Sequence, residues 1–156
     1  MIFTADQIVA HLIGDYILQS HWMATEKTKN SVAAAVHAIA YSIPFLFITQ
    51  SPEALVIIFG THFLVDRFRL ARFVVWLKNG PLRYEEGFEP ALMTNTGRQP
   101  PGIYPIKAGW EWKPLTATGY QDDVPPWLSV WLLIIADNTI HIFINGLAIW
   151  YFGSTA

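Results

Sequence analysis

Four apolar stretches, separated by polar connections, set the pattern of this chain. The first runs from about Ile2 to Leu18, and the second from about Ser31 to Thr49 with a kink at Pro44. The third starts near Ala54, stays apolar to Val65 and continues in helical period, now basic, as Asp66-Arg67-Phe68-Arg69-Leu70-Ala71-Arg72 to about Trp76. The fourth runs from about Trp127 to Phe152 behind Pro125-Pro126, a helix-start signal. Between the third and fourth, residues 79–124 are rich in Gly, Pro, Glu and Trp without a sustained period and read as a long irregular loop. The pattern predicts an all-α single domain over 1–156, a membrane-embedded four-helix bundle with spans at about 2–18, 31–49, 54–76 and 127–152. A membrane helix needs about 20 residues. The second and fourth stretches meet that length, the first is short, and the third meets it only with its basic end. A soluble bundle of buried helices is the structural competitor.

Polar residues interrupt these stretches at one spacing. His11-x-x-x-Asp15, His62-x-x-x-Asp66 and, reversed, Asp137-x-x-x-His141 each put two ionisable groups on one helix face, and His37 stands alone in the second stretch. An ionisable group at the centre of a membrane helix costs about 2.5–3.5 kcal/mol. Four stretches bearing that cost imply that the groups meet. At about 1.5 Å per residue and a core of about 30 Å, all seven fall in a central slab about 9–21 Å from the outer face. Gln19 extends the first row by one further turn and Asn145 extends the last; with Asn138 they are candidates to orient the ligands.

Composition and charge sharpen this picture. The chain has 156 residues, 53% hydrophobic and only 14% charged, which is oilier than an ordinary soluble domain. Seven Trp suit interfacial anchoring, and a net charge of −2 recommends no nucleic-acid partner. The absence of Cys excludes thiolate catalysis, disulfides and Cys-ligated metal. No basic leader precedes the first apolar stretch, which reads as retained rather than as a signal peptide. Lys27 and Lys29 fall in the first connection, and Arg69, Arg72, Lys78, Arg83, Arg98, Lys107 and Lys113 in or beside the third, whereas the second connection and both termini carry no Lys or Arg. The positive-inside rule then places the loop 79–124 in the cytoplasm and both termini outside.

Imidazole and carboxylate without thiolate suit Zn, Mn or Fe. The expected centre uses His11, Asp15, His37, His62, Asp66, Asp137 and His141 to hold one or two divalent ions. A purely structural polar network, or a proton or ion pathway in an oligomer, is the competing use of the same residues. His21, beside Trp22, reads as a surface residue. Arg67, Arg69 and Arg72 read as headgroup anchors, or, for Arg69 and Arg72, as a clamp for a phosphate-bearing substrate.

The run His11-Leu-Ile-Gly-Asp15-Tyr-Ile-Leu-Gln19, then Trp22-Met-Ala, Lys27, His37, His62-Phe-Leu-Val-Asp66 and Asp137-Asn-Thr-Ile-His141, resembles the phage and bacterial membrane proteins labelled domain of unknown function 3307. The resemblance covers about residues 5–78 and 125–150. It implies an integral membrane protein of the bacterial inner membrane, phage- or prophage-encoded, and implies no chemistry. A looser similarity is to membrane-bound metal-dependent hydrolases, which also carry His and Asp on several spans. The expected function is a metal-dependent hydrolase of a phosphoester or lipid-linked substrate, with Asp15 or Asp66 as general base and the loop as a lid. Its partners would be membrane lipid, the substrate and a second copy of the chain. The alternative is a non-enzymatic phage protein that alters the host envelope, in superinfection exclusion or lysis control.

Overall fold

Helices make up most of the chain in the computed structural model, which describes residues 2–85, 88–91, 102–105 and 109–153. Helix α1, Ala5–Leu12, continues as a π-helical turn, Ile13–Ile17. Helix α3, Ser31–Ser42, starts where the Asn30 side chain accepts the Val32 N–H at 2.8 Å, and continues as a 3-10 turn, Ile43–Phe47, that contains Pro44. Helix α4, Pro52–Phe68, is capped by Ser51, whose hydroxyl accepts the Ala54 N–H at 3.2 Å and donates to Glu53 at 2.8 Å. Helix α6, Pro126–Phe152, starts with Pro at its first turn.

Three features depart from the sequence reading. The polar connection after the first stretch holds a further helix, α2, His21–Glu26, capped by Ser20. The third stretch is not one helix through Trp76. It stops at Arg69, whose φ of 53° and ψ of 46° are left-handed, and a separate helix α5, Leu70–Lys78, follows. The periodicity persists across the break because one left-handed residue reorients the axis without changing which residues are apolar.

The region 79–124 is the third departure, because it is not wholly irregular. Strand β1, Leu82–Glu85, pairs antiparallel with β4, Gly109–Trp112, and β2, Phe88–Ala91, pairs with β3, Gly102–Pro105. Leu82-Arg83-Tyr84-Glu85 and Trp110-Glu111-Trp112 alternate with period two, a signal too short to stand out among the surrounding Gly and Pro. The ribbon docks on α5: the rings of Trp76 and Trp112 stack at 6.1 Å, and Trp76 Nε1 donates to the Lys113 carbonyl at 3.0 Å.

Helix α4 packs between α3 and α6, and α1 lies against α6. Small residues line these contacts: Ala33, Ala34, Ala38, Ala54 and Ala148 are buried. Gly14 approaches α3 so closely that a Cβ there would meet Tyr41 Cδ2 at 2.6 Å. The large apolar residues point outward instead; Phe47 is 90% exposed, and Ile17, Val32, Ile39 and Val56 are also exposed. Among the described residues, one helix, Pro126–Phe152, is long and apolar enough to cross a membrane.

Candidate metal centre

Each wall of the centre is one helix face. Residues one turn apart project together, so α4 delivers His62 with Asp66, α6 delivers Asp137, His141 and Asn145, and α3 delivers His37 with Tyr41. Helix α1 delivers His11, and the π-turn delivers Asp15. The bond from the Leu18 N–H to the Ile13 carbonyl, 2.9 Å, spans five residues and inserts an extra residue into the helical register. Asp15 is thereby displaced from the simple row above His11, with its Oδ1 toward α3 and α4.

Four donor atoms converge: His37 Nε2, His62 Nε2, Asp15 Oδ1 and Asp66 Oδ2. The two Nε2 atoms are 3.0 Å apart. His37 Nε2 lies 3.2 Å from Asp15 Oδ1 and 3.1 Å from Asp66 Oδ2; His62 Nε2 lies 3.4 Å and 3.2 Å from the same two oxygens. All four residues are buried. Ligand atoms held about 2.0–2.2 Å from one ion stand about 3.3–3.6 Å apart in a tetrahedron and about 2.8–3.1 Å apart when adjacent in an octahedron. The five separations span these values.

Hydrogen bonding alone does not account for the cluster. Each Nε2 carries at most one hydrogen, so two hydrogens serve at most two of five contacts. Asp15 Oδ1 and Asp66 Oδ2 are buried without any partner aligned as a hydrogen bond. The Nδ1 atoms of His37 and His62 also lack one among the described residues, where a metal-bound imidazole ordinarily has an acceptor.

A second group meets beside the first. His141 Nε2 stands 3.5 Å from Asp66 Oδ1 and 3.6 Å from Asp137 Oδ2. Six of the seven ionisable residues in the four apolar stretches thus fall into two groups that share Asp66. His11 is the exception. Its Nδ1 accepts from the Tyr41 hydroxyl at 2.8 Å, its Nε2 donates to Asn138 Oδ1 at 3.2 Å, and it joins neither group. The His11–Asp15 spacing does place the pair within 3.5 Å, but through Asp15 Oδ2 rather than the converging Oδ1.

The supporting residues divide. Asn145 donates to the Tyr41 hydroxyl at 2.6 Å, and Asn138 donates to the Tyr16 hydroxyl at 2.7 Å while accepting from His11. Gln19 bonds none of the candidate ligands; its Oε1 is buried without a partner. Two residues of the centre escaped the sequence reading. Tyr41 stacks on His62, ring centroids 3.5 Å apart and planes 12° apart. It stands four residues after His37, the same spacing that flagged the His–Asp pairs. Lys27 Nζ lies 2.8 Å from Asp66 Oδ2 and 3.3 Å from His37 Nε2; no periodic pattern reaches it from the connection.

A cleft of about 380 Å³ opens from these groups. Asp15, Asp66 and Asp137 lie at its acidic side, Lys27, Arg69 and Arg72 supply cations, and Leu133 and Ile134 of α6 give an apolar wall. Arg69 donates to the Ala117 carbonyl at 2.9 Å, and Arg72 Nε is buried without a partner. Arg67 is spent on structure, donating to Ser31 Oγ at 3.1 Å and the Thr28 carbonyl at 2.8 Å. His21 is exposed.

No curated protein and no solved structure matches the chain. Residues 2–82 match a family of unknown function, and this stretch contains the whole four-donor group, whereas Asp137 and His141 lie beyond it. On that match, which covers more than half of its length, the chain belongs to the family described as protein of unknown function DUF3307.

Proposed function

We propose that this chain is a membrane-embedded four-helix bundle whose buried His/Asp centre holds a divalent transition metal and hydrolyses a phosphoester or lipid-linked substrate. The observation that carries the metal is the convergence of two imidazole nitrogens and two carboxylate oxygens with five separations of 3.0–3.4 Å. Their chemistry fits Zn, Mn or Fe. A bound ion would polarise the scissile group and lower the pKa of a coordinated water.

The surrounding residues suit that chemistry. Asp15 Oδ2 lies outside the converging set, which leaves it to accept a proton from the attacking water. Lys27, Arg69 and Arg72 line the cleft and suit a phosphate, while Leu133 and Ile134 suit an alkyl chain.

The membrane reading rests on an inside-out arrangement. Imidazoles, carboxylates and small Ala side chains fill the interior, and large aliphatic and aromatic side chains face out. Arg67 ties the end of α4 to the α2–α3 connection, so Lys27, Lys29, Arg67, Arg69 and Arg72 gather at one end of the bundle. That end faces the cytoplasm and both termini face out of a bacterial inner membrane, the origin being phage or prophage.

Metal analysis of the detergent-purified chain is the test. About one ion per chain is expected, and His62→Ala should remove both metal and turnover while the protein still inserts. Less than about one tenth of an equivalent, with metal supplied during expression, overturns the metal reading. Loss of accumulation in His62→Ala from a wild type that holds no metal would instead identify a structural polar network.

A further inference from the structure

We infer that Asp66 bridges two divalent ions, and that Asp137 and His141 complete a second, open coordination site beside the four-donor site. This rests on the metal reading above and extends it.

The two oxygens of Asp66 serve different neighbours. Oδ2 faces His37 and His62 at 3.1 and 3.2 Å, and Oδ1 faces His141 at 3.5 Å. His141 Nε2 and Asp137 Oδ2 are 3.6 Å apart. Separations of this size are beyond effective hydrogen bonds, which for N–H···O lie at about 2.7–3.2 Å. They match neighbouring ligands of one ion at about 2.0–2.2 Å from each. His141 is 1% exposed, and its Nε2 has no hydrogen-bond partner. A buried imidazole nitrogen aimed between two carboxylates, too far to bond either, is left in a place that a cation would satisfy.

The two sites are not equivalent. The first has four protein donors. The second has three, from Asp66, Asp137 and His141, and both Asp66 and Asp137 line the cleft. Structural sites are closed and catalytic sites keep an open position, so the second ion is the one that would present water to a substrate in the cleft. A carboxylate-bridged pair stands about 3.5–4 Å apart, the spacing at which two ions stabilise the attacking and leaving oxygens of a displacement. The side chains that supply the two ions already touch: the rings of His62 and His141 have centroids 4.2 Å apart.

Charge sets the order of filling. With neutral imidazoles, Asp15, Asp66 and Asp137 against Lys27 leave an excess of two negative charges. One divalent ion neutralises that excess; a second enters against a neutral site and binds more weakly.

The test is Mn²⁺ titration of the chelator-stripped full chain in detergent, read by electron paramagnetic resonance and by bound-metal analysis. The expected result is about two ions in two steps, the second giving an exchange-coupled spectrum. His141→Ala and the milder Asp137→Asn should each leave about one ion with an uncoupled six-line signal. Asp137 has a side chain 28% exposed, so Asp137→Asn keeps the test open if His141→Ala does not fold. About one uncoupled ion in the wild type, unchanged in both variants, overturns the second site and leaves the four-donor site standing. No bound Mn²⁺ at all overturns both.

Discussion

Tyr41 joins two networks. Its ring stacks on His62, and its hydroxyl is held by His11 and Asn145. Tyr41→Phe keeps the stack and strands His11 Nδ1 and the Asn145 amide, each a buried group whose lost partner costs about 1–3 kcal/mol. Denaturant titration in detergent should show that loss, with bound metal retained at saturating concentration; unchanged stability would mean that the hydroxyl is not a structural linchpin. Gly14→Ala addresses the other side of the same ring. The added methyl would stand 2.6 Å from Tyr41 Cδ2 and 2.9 Å from the Tyr41 carbonyl oxygen, so α1 must move or the ring must tilt, at about 1–3 kcal/mol. Since that ring packs on His62, metal affinity should fall with stability in this variant and not in Tyr41→Phe. Legibility at this scale was uneven. Ionisable residues in apolar runs announce themselves, whereas a Tyr in the same face reads as core filler, and Lys27 reaches the centre through a fold that no local pattern encodes.

At the scale of elements, the informative joint is Arg69. Its left-handed backbone costs about 1–2 kcal/mol in a residue with a Cβ and is relieved by Gly. Arg69→Gly should therefore raise the unfolding midpoint slightly, the lost bond to Ala117 offsetting part of the gain, while weakening binding of a phosphate-bearing substrate in the cleft. A variant that loses stability as well would show that Arg69 anchors the 113–120 segment more than it serves the cleft. All four apolar stretches foretold helices, because their length and oiliness leave few alternatives. The break at Arg69 was not foretold, since hydrophobic periodicity is blind to one left-handed residue. Helix α2 was hidden by its polarity, and the strands by their brevity among Gly and Pro.

For the whole molecule, the inside-out distribution makes bound metal the main ligand-linked source of stability. A ligand at about a hundred times its dissociation constant adds about 2.7 kcal/mol. Chelation should lower the thermal midpoint in detergent, and restored Mn²⁺ or Zn²⁺ should recover it; an unchanged midpoint would separate the cluster from any metal. Topology is a distinct test: a reporter fused at the C-terminus should report the outside, and a cytoplasmic signal would reverse the orientation. The common depth of the polar residues was legible because rise per residue and membrane thickness are both fixed. Which of them share an ion was not, since that depends on how helices rotate about their axes. His11 shows the limit: it has the spacing and depth of a ligand, yet Tyr41 and Asn138 engage both its nitrogens.

The π-turn at Ile13–Ile17 also bears on heredity. One extra residue in one turn sets where Asp15 points. Deleting one residue from it, Ile17 for instance, would restore ordinary helical phase to everything downstream in that stretch. The protein would keep its oily segment and lose one of four donors, so in-frame deletion is a short mutational route from a metal-binding lineage to a silent one.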